Sequence, residues 1–146
     1  MPAILFDTSV WIAVAFTTHP HHAPAKRLLD SAHSRAPVVA CRATQQSFLR
    51  LVTTPVIQRH YRSEVIDNTL AWSRWSRLAN MPQVLWLREP SGLDDSWQRN
   101  ACFSSPAPKR WMDAYLAAFA IGYGIPLASF DQDLANFEEL EWITPV

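Results

Sequence analysis

Short apolar runs alternate along this chain with longer stretches in which apolar residues recur every three or four positions. The first run, Ala3 to Phe6, meets Asp7-Thr8-Ser9 and continues into Val10-Trp11-Ile12-Ala13-Val14-Ala15-Phe16. It parses as a buried strand turning into a helix, with Thr8 or Ser9 available as the cap, because a short side-chain oxygen can accept from the first unpaired backbone N–H groups. From Pro20 to Arg35, Ala25, Leu28, Leu29 and Ala32 stand at helical spacing among Lys26, Arg27 and Asp30, an amphipathic surface helix. Pro37 to Cys41 reads as a second buried strand, and Thr44 is placed to cap a helix bearing Phe48, Leu49, Leu51 and Val52. A longer polar helix is expected from Ser63 to Asn80, a third strand over Val84 to Leu87 and a short helix from Leu93 to Cys102. Ser104-Ser105-Pro106-Ala107-Pro108 then breaks the chain. Lys109 to Gly122 sets Met112, Leu116 and Phe119 on one side of a further helix, which Gly122 or Gly124 can end in a left-handed conformation. Pro126 to Phe130 is the fourth strand, closing on Asp131.

Strands separated by a dozen or more helical residues need crossover connections, so the pattern predicts an α/β fold. A central parallel sheet of four or five strands lies between helices in three layers. No repeat or long linker divides the chain, and residues 1–146 are expected to form one domain. In such sheets ligands bind beyond the carboxyl ends of the strands, where the strand order reverses. Asp7 and Asp131 are expected at such ends.

Composition narrows the picture. With 49% hydrophobic and 18% charged residues, and 3 Gly against 11 Pro, disorder and collagen-like repeats are excluded. Three glycines also leave no GxGxxG phosphate loop. Thirteen basic residues balance thirteen acidic ones, which argues against a nonspecific polycation coating nucleic acid and leaves room for a local basic patch. No apolar run approaches the roughly 18 residues that span a bilayer, and MPAILFDTSV lacks the basic start and processing site of a leader, so a cytoplasmic protein without membrane contact is expected. Cys41 and Cys102 lie far apart without CxxC spacing and read as ordinary buried thiols.

The candidate chemistry lies in three aspartates: Asp7 after the first strand, Asp113 in the first turns of the late helix and Asp131 after the fourth strand. Each alone is as readily a cap or turn residue. Asp113, however, adjoins the apolar stretch AYLAAFAIG, where an unpaired charge would be costly to bury. Carboxylates gathered in one crevice stay ionised together only if a hard cation compensates them, and for oxygen donors that cation is Mg²⁺ or Mn²⁺. Metal-assisted phosphodiester hydrolysis is the reaction class this favours. A dehalogenase-like phosphotransferase needs a second acid two residues after the first, where this chain has Ser9. His19-Pro20-His21-His22 has no second set of close ligands and reads as an exposed loop rather than a zinc site. Trp11 reads as core, Trp72, Trp75 and Trp86 as core or interface, and Trp97 and Trp111 as core or partner contacts before base-stacking rings. Lys109, Arg110 and Arg99 can offer local positive charge to an RNA backbone, and Arg50 can face the crevice.

Three segments, ILFDTSVWIAVAF, CRATQQSFLRLVTTP and MDAYLAAFAIGYGIPLASFDQDL, together resemble the PIN domain, specifically the VapC-like toxin ribonucleases of bacterial toxin–antitoxin systems. The resemblance runs through nearly the whole chain and is looser from about Tyr61 to Pro108. It implies Mg²⁺- or Mn²⁺-dependent endoribonuclease cleavage of tRNA or other structured RNA, a cognate VapB-like antitoxin and a homodimer. It implies acidic ligands at Asp7, Asp113 and Asp131, with Ser129 and Thr8 or Ser9 in support; Asp133, two residues beyond Asp131, reads equally as an outer supporting carboxylate or as a solvated residue of the following turn. The chain departs from the pattern at the second acidic position, where Gln45 is the best match. A glutamine keeps a coordinating oxygen but loses a negative charge and cannot act as a general base. The alternative reading is therefore a catalytically weakened PIN-like module that binds RNA or protein.

Overall fold

The structure, a computed structural model, describes residues 3–146; residues 1 and 2, which begin the stretch read for a leader, lie outside the described residues. Five short strands, Ile4–Phe6 (β1), Val38–Ala40 (β2), Val84–Trp86 (β3), Leu127–Ala128 (β4) and Trp142–Ile143 (β5), pair in parallel in the order β3-β2-β1-β4-β5. The chain builds outward from β1 in one direction through β2 and β3, then returns to lay β4 and β5 on the other side. The order therefore reverses between β1 and β4. Asp7 N–H donates to the Ala128 carbonyl at 2.9 Å, which carries the pairing of these two strands to their carboxyl ends.

Among the described residues, seven α-helices cover the sheet: Thr8–Ala15 (α1), His22–Ser31 (α2), Arg42–Val52 (α3), Pro55–His60 (α4), Asn68–Ala79 (α5), Leu93–Ala101 (α6) and Arg110–Tyr123 (α7). Because strand side chains alternate, Ile4, Phe6, Val38 and Ala40 pack with residues of α1, α2, α3 and α5, while Leu5, Val39 and Leu127 pack with residues of α6 and α7. Three layers result. On the first face the rings of Phe6, Trp11, Trp75 and Phe48 form a continuous series, with successive centroids 5.0, 5.5 and 5.2 Å apart. Trp11 is wholly buried and its indole N–H has no acceptor, a cost of about 1–3 kcal/mol set against the large apolar area of its ring.

Several expected boundaries shift for local reasons. The expected helix from Ser63 begins only at Asn68, because the Asp67 carboxylate accepts from Leu70 N–H and caps it there. The expected helix over Pro20 to Arg35 is confined to His22–Ser31, and His33 and Ala36 then form an isolated bridge. Asp7, rather than Thr8 or Ser9, is the residue that caps α1. Cys41 caps α3, and Thr44 acts from inside the first turn, accepting from Cys41 N–H at 3.3 Å and donating to the Cys41 carbonyl at 3.0 Å. Gly124 ends α7 with φ +65°, whereas Gly122 serves close packing: a Cβ there would stand 2.6 Å from a Pro90 carbon. Cys41 is buried as expected, but Cys102, just after α6, is exposed. Among the described residues no helix is long and apolar enough to cross a membrane.

Candidate metal centre

Asp7 and Asp131 stand where the topology predicts a crevice, just past β1 and β4 on either side of the reversal. Asp7 is the most constrained of the three aspartates. Its Oδ1 accepts from Thr8 N–H at 2.7 Å, and its Oδ2 accepts from the Ser9 hydroxyl at 3.0 Å and the Ser129 hydroxyl at 2.6 Å. Each serine oxygen also accepts a backbone N–H, Ser9 from Phe130 at 3.2 Å and Ser129 from Asp131 at 3.0 Å. A hydroxyl has one proton to give, so both protons go to Asp7 and the 3.3 Å approach of the two serine oxygens is packing. This lattice locks the turn after β4 onto the start of α1. Ser129, fully buried, is its hinge pin. Of the two residues read as supporting Asp7, Thr8 contributes its backbone and Ser9 its hydroxyl.

Asp131 caps the following 3₁₀ turn over Gln132–Asn136, its Oδ1 accepting from Asp133 N–H at 2.9 Å. Asp113, half-buried in the first turn of α7, has no hydrogen-bonded partner among the described residues and shares a field with the other acids. Burial, and then the charges of Asp131, Asp7 and Asp133, raise its pKa to about 6, with Lys109 opposing. Desolvation by burial likewise raises Asp7, against the lowering effect of its three donors, and Asp131 adds repulsion. None of the three aspartates has a Lys or Arg ion-pair partner among the described residues, whose two ion pairs are Lys26 with Asp30 and Arg74 with Glu64. Oxygen-only donors in mutual repulsion without a protein cation are a donor set that fits a hard divalent ion. As they stand, no three acidic, histidine or cysteine side chains among the described residues are gathered closely enough to enclose a metal. The aspartates share a field rather than a finished coordination shell.

Gln45 is buried on α3, and its amide oxygen accepts from the Arg42 guanidinium, which lies over the Trp86 ring at 4.9 Å. The structure joins it to that pair and not, by any hydrogen bond, to the aspartates. Arg110 is committed internally: its Nε donates to the Asn100 carbonyl at 2.8 Å and its guanidinium lies 4.8 Å from the Phe103 ring centroid and 4.0 Å from that of Phe137. Lys109 is left as the cation of this pair that acts on the acid cluster. Arg50 lines a groove of about 830 Å³ with Gln46 of α3 and Trp97, Trp111, Met112 and Tyr115 from α6 and α7. Trp97 and Trp111 meet edge to face, and Trp97 Nε1 donates to the Trp111 carbonyl at 2.8 Å. Phe130, between Ser129 and Asp131, places its ring against the histidine loop, 4.4 Å from His21, a contact that nothing in the sequence signals.

The PIN-domain family model matches residues 4–140. Ribonuclease VapC41 of Mycobacterium tuberculosis is 37% identical over 139 residues, covering 94% of this chain and 95% of that protein. Ribonuclease VapC37 of the same species is 28% identical over 151 residues, covering 97% and 96%. Among solved structures, VapBC2 from Rickettsia felis bound to a promoter DNA fragment superposes with a TM-score of 0.68 at 9% identity, covering 99% of each chain. Mycobacterium tuberculosis VapC20, a toxin that cleaves the sarcin–ricin loop, superposes with a TM-score of 0.65 at 20% identity, covering 94% of this chain and 98% of that one. These superpositions show the same α/β fold.

Proposed function

The chain belongs to the PIN-domain family and is VapC-like, and from that premise we propose that it is a Mg²⁺- or Mn²⁺-dependent endoribonuclease. It hydrolyses phosphodiester bonds of tRNA or another structured RNA and acts in the cytoplasm as the toxin of a toxin–antitoxin pair. The observation that carries this reading is the unneutralised field shared by Asp7, Asp113 and Asp131 at the reversal of the strand order. Kinship with ribonucleases VapC41 and VapC37 supports the choice of RNA. Fold similarity to VapBC2 and to VapBC-1 of Haemophilus influenzae, the latter with a TM-score of 0.66, supports a VapB-like antitoxin as partner, and a homodimer is proposed from membership of the family alone.

A bound divalent cation would polarise a phosphodiester oxygen and make water a stronger nucleophile. Asp7, Asp113 and Asp131 are the residues that would hold it. Asp7 enters oriented, since three donors fix its carboxylate and leave lone-pair capacity on Oδ1. Ser129 holds Asp7 and the Asp131 backbone together, so it positions two of the three acids at once. Asp113 supplies the third carboxylate from α7, and Lys109 offers positive charge to the RNA backbone beside it.

Cleavage of a tRNA pool by purified, antitoxin-free protein, with and without Mn²⁺, tests the proposal. Discrete metal-dependent products that vanish in Asp7→Asn and Asp113→Asn are expected; products equal in the wild type and both variants would sink it. One observation favours a second reading, a weakened RNA- or protein-binding module: the neutral Gln45 is already satisfied by Arg42.

A further inference from the structure

The imidazoles of His21, His22 and His60 act on that of His19, yet no three of these side chains are placed to hold a metal ion. They take part instead in a band of rings. Phe16, buried under the end of α1, stacks on Tyr61 with centroids 5.0 Å apart and planes at 24°, and Tyr61 stacks on His19 at 4.8 Å and 27°. His19 lies 6.4 Å from Phe130, and the exposed His21 lies face to face with Phe130 at 4.4 Å and 14°. Phe130 is the residue between Ser129 and Asp131, and its N–H donates to the Ser9 hydroxyl that holds Asp7. The band therefore runs from the core to the rim of the aspartate crevice.

We propose that His19, His21 and Phe130 form a stacking platform for an unpaired RNA base next to the bond being cleaved, an inference that rests on the ribonuclease reading. The platform is built rather than incidental. His21 N–H donates to His19 Nδ1 at 3.0 Å, which turns the His19 ring and leaves its proton on Nε2. His22 Nδ1 donates to the Ala13 carbonyl at 2.8 Å and ties the loop to α1. Burial, and then the neighbouring imidazoles, hold His19 below the usual histidine range, so at neutral pH its ring offers an aromatic face rather than a charge. The binding energy must also have a source. With a formal net charge of zero and an acidic crevice, counterion release alone is a weak driving term for this protein, and base–aromatic stacking supplies a term independent of charge. Bases in a duplex have both faces covered, so the platform favours loops and single strands.

The test is fluorescence anisotropy of a dye-labelled single-stranded RNA decamer of mixed sequence, and of a fully paired RNA duplex of equal length, in EDTA. The wild type is compared with His21→Ala and His21→Phe, with melting temperatures checking the fold. His21→Ala is expected to weaken decamer binding at least about fivefold, the low end of one base–aromatic stack, while His21→Phe retains it and duplex binding stays unchanged. Undiminished decamer binding by His21→Ala, equal losses in His21→Ala and His21→Phe, or no decamer binding by the wild type would each overturn the platform. Parallel tRNA cleavage with Mn²⁺ separates the two readings. Cleavage with an unaffected His21→Ala decamer affinity removes the platform and leaves the nuclease; a stacking-dependent affinity without cleavage removes the nuclease and the platform's place beside a scissile bond, leaving a single-strand binding site.

Discussion

Two neighbouring strand-to-helix turns, β1 into α1 and β2 into α3, start from the same pattern of an apolar strand running into a helix and end in different electrostatic states. At the first, Asp7 caps its helix and gathers two hydroxyls and a backbone N–H, but no cation among the described residues. At the second, Cys41 and Thr44 cap reciprocally, and the neutral Gln45 one turn on is closed by the Arg42 guanidinium. Hydrogen bonds orient a carboxylate without neutralising it, whereas a guanidinium satisfies its partner outright. The first turn is thus left open to an external cation, whereas at the second the Gln45 oxygen is already taken by a cation of the protein's own.

The sharpest way to break the contrast is at the acids themselves. Asp7→Asn and Asp113→Asn should each reduce metal-dependent RNA cleavage by more than the roughly 10–100-fold typical of residues that merely support a ligand, measured as initial rates with Mn²⁺. Ser129→Ala should fall within that range, since it removes the shared brace of Asp7 and Asp131 without removing a carboxylate. It should also cost about 1–3 kcal/mol in denaturant unfolding, because it leaves buried partners unsatisfied. Gln45→Glu alone should raise Mn²⁺ affinity by less than about tenfold, because Arg42 is positioned to pair with the new charge. Adding Arg42→Ala to it should release a larger gain in calorimetric titration; equal affinities for the single and double variants would refute the closed-turn account.

The smallest effect is the pH dependence of the metal-free protein. The pKa of Asp113 is raised in the folded state from 3.8 to about 6, so the folded state binds more protons than the unfolded state in that window. The penalty is absent below about 4 and fully present above about 6. Stability from this group therefore falls as pH rises. Allowing for solvent screening of a half-exposed group, Asp113→Asn should be about 1 kcal/mol more stable than the wild type at pH 7.5, and the gap should close towards pH 4. Thermal melts of both proteins across that range would check it.

How far the fold was legible depended on element length. β1, β2 and β3 stood out as apolar runs, and α7 as a long helical period. β5 did not, because two residues within Glu141-Trp142-Ile143-Thr144 show neither alternation nor length; only pairing with Leu127–Ala128 makes them a strand. α4 was equally hidden. It spans six residues, and its buried Gln58 reads as polar, although its Nε2 donates to the Val52 carbonyl at 2.8 Å and the Ile66 carbonyl at 3.0 Å.

At the site, Asp7, Asp113, Asp131 and Ser129 were legible as residue types beside apolar elements, but the state of each was not. Ser9 rather than Thr8 gives its hydroxyl to Asp7, Arg110 is drawn into cation–π contacts, and the histidine loop reaches Phe130 across more than a hundred residues of chain. Apolar periodicity and the turn residues determined, from sequence alone, which of the longer segments become strands and helices and that carboxylates stand where strands end, because these follow from local sterics and burial. Which hydroxyl serves which acid, whether a charge meets a partner and which rings stack were decided by tertiary structure. Hydrogen bonds, ion pairs and stacking act over a few ångströms, and only the folded sheet brings residues from opposite ends of the chain that close.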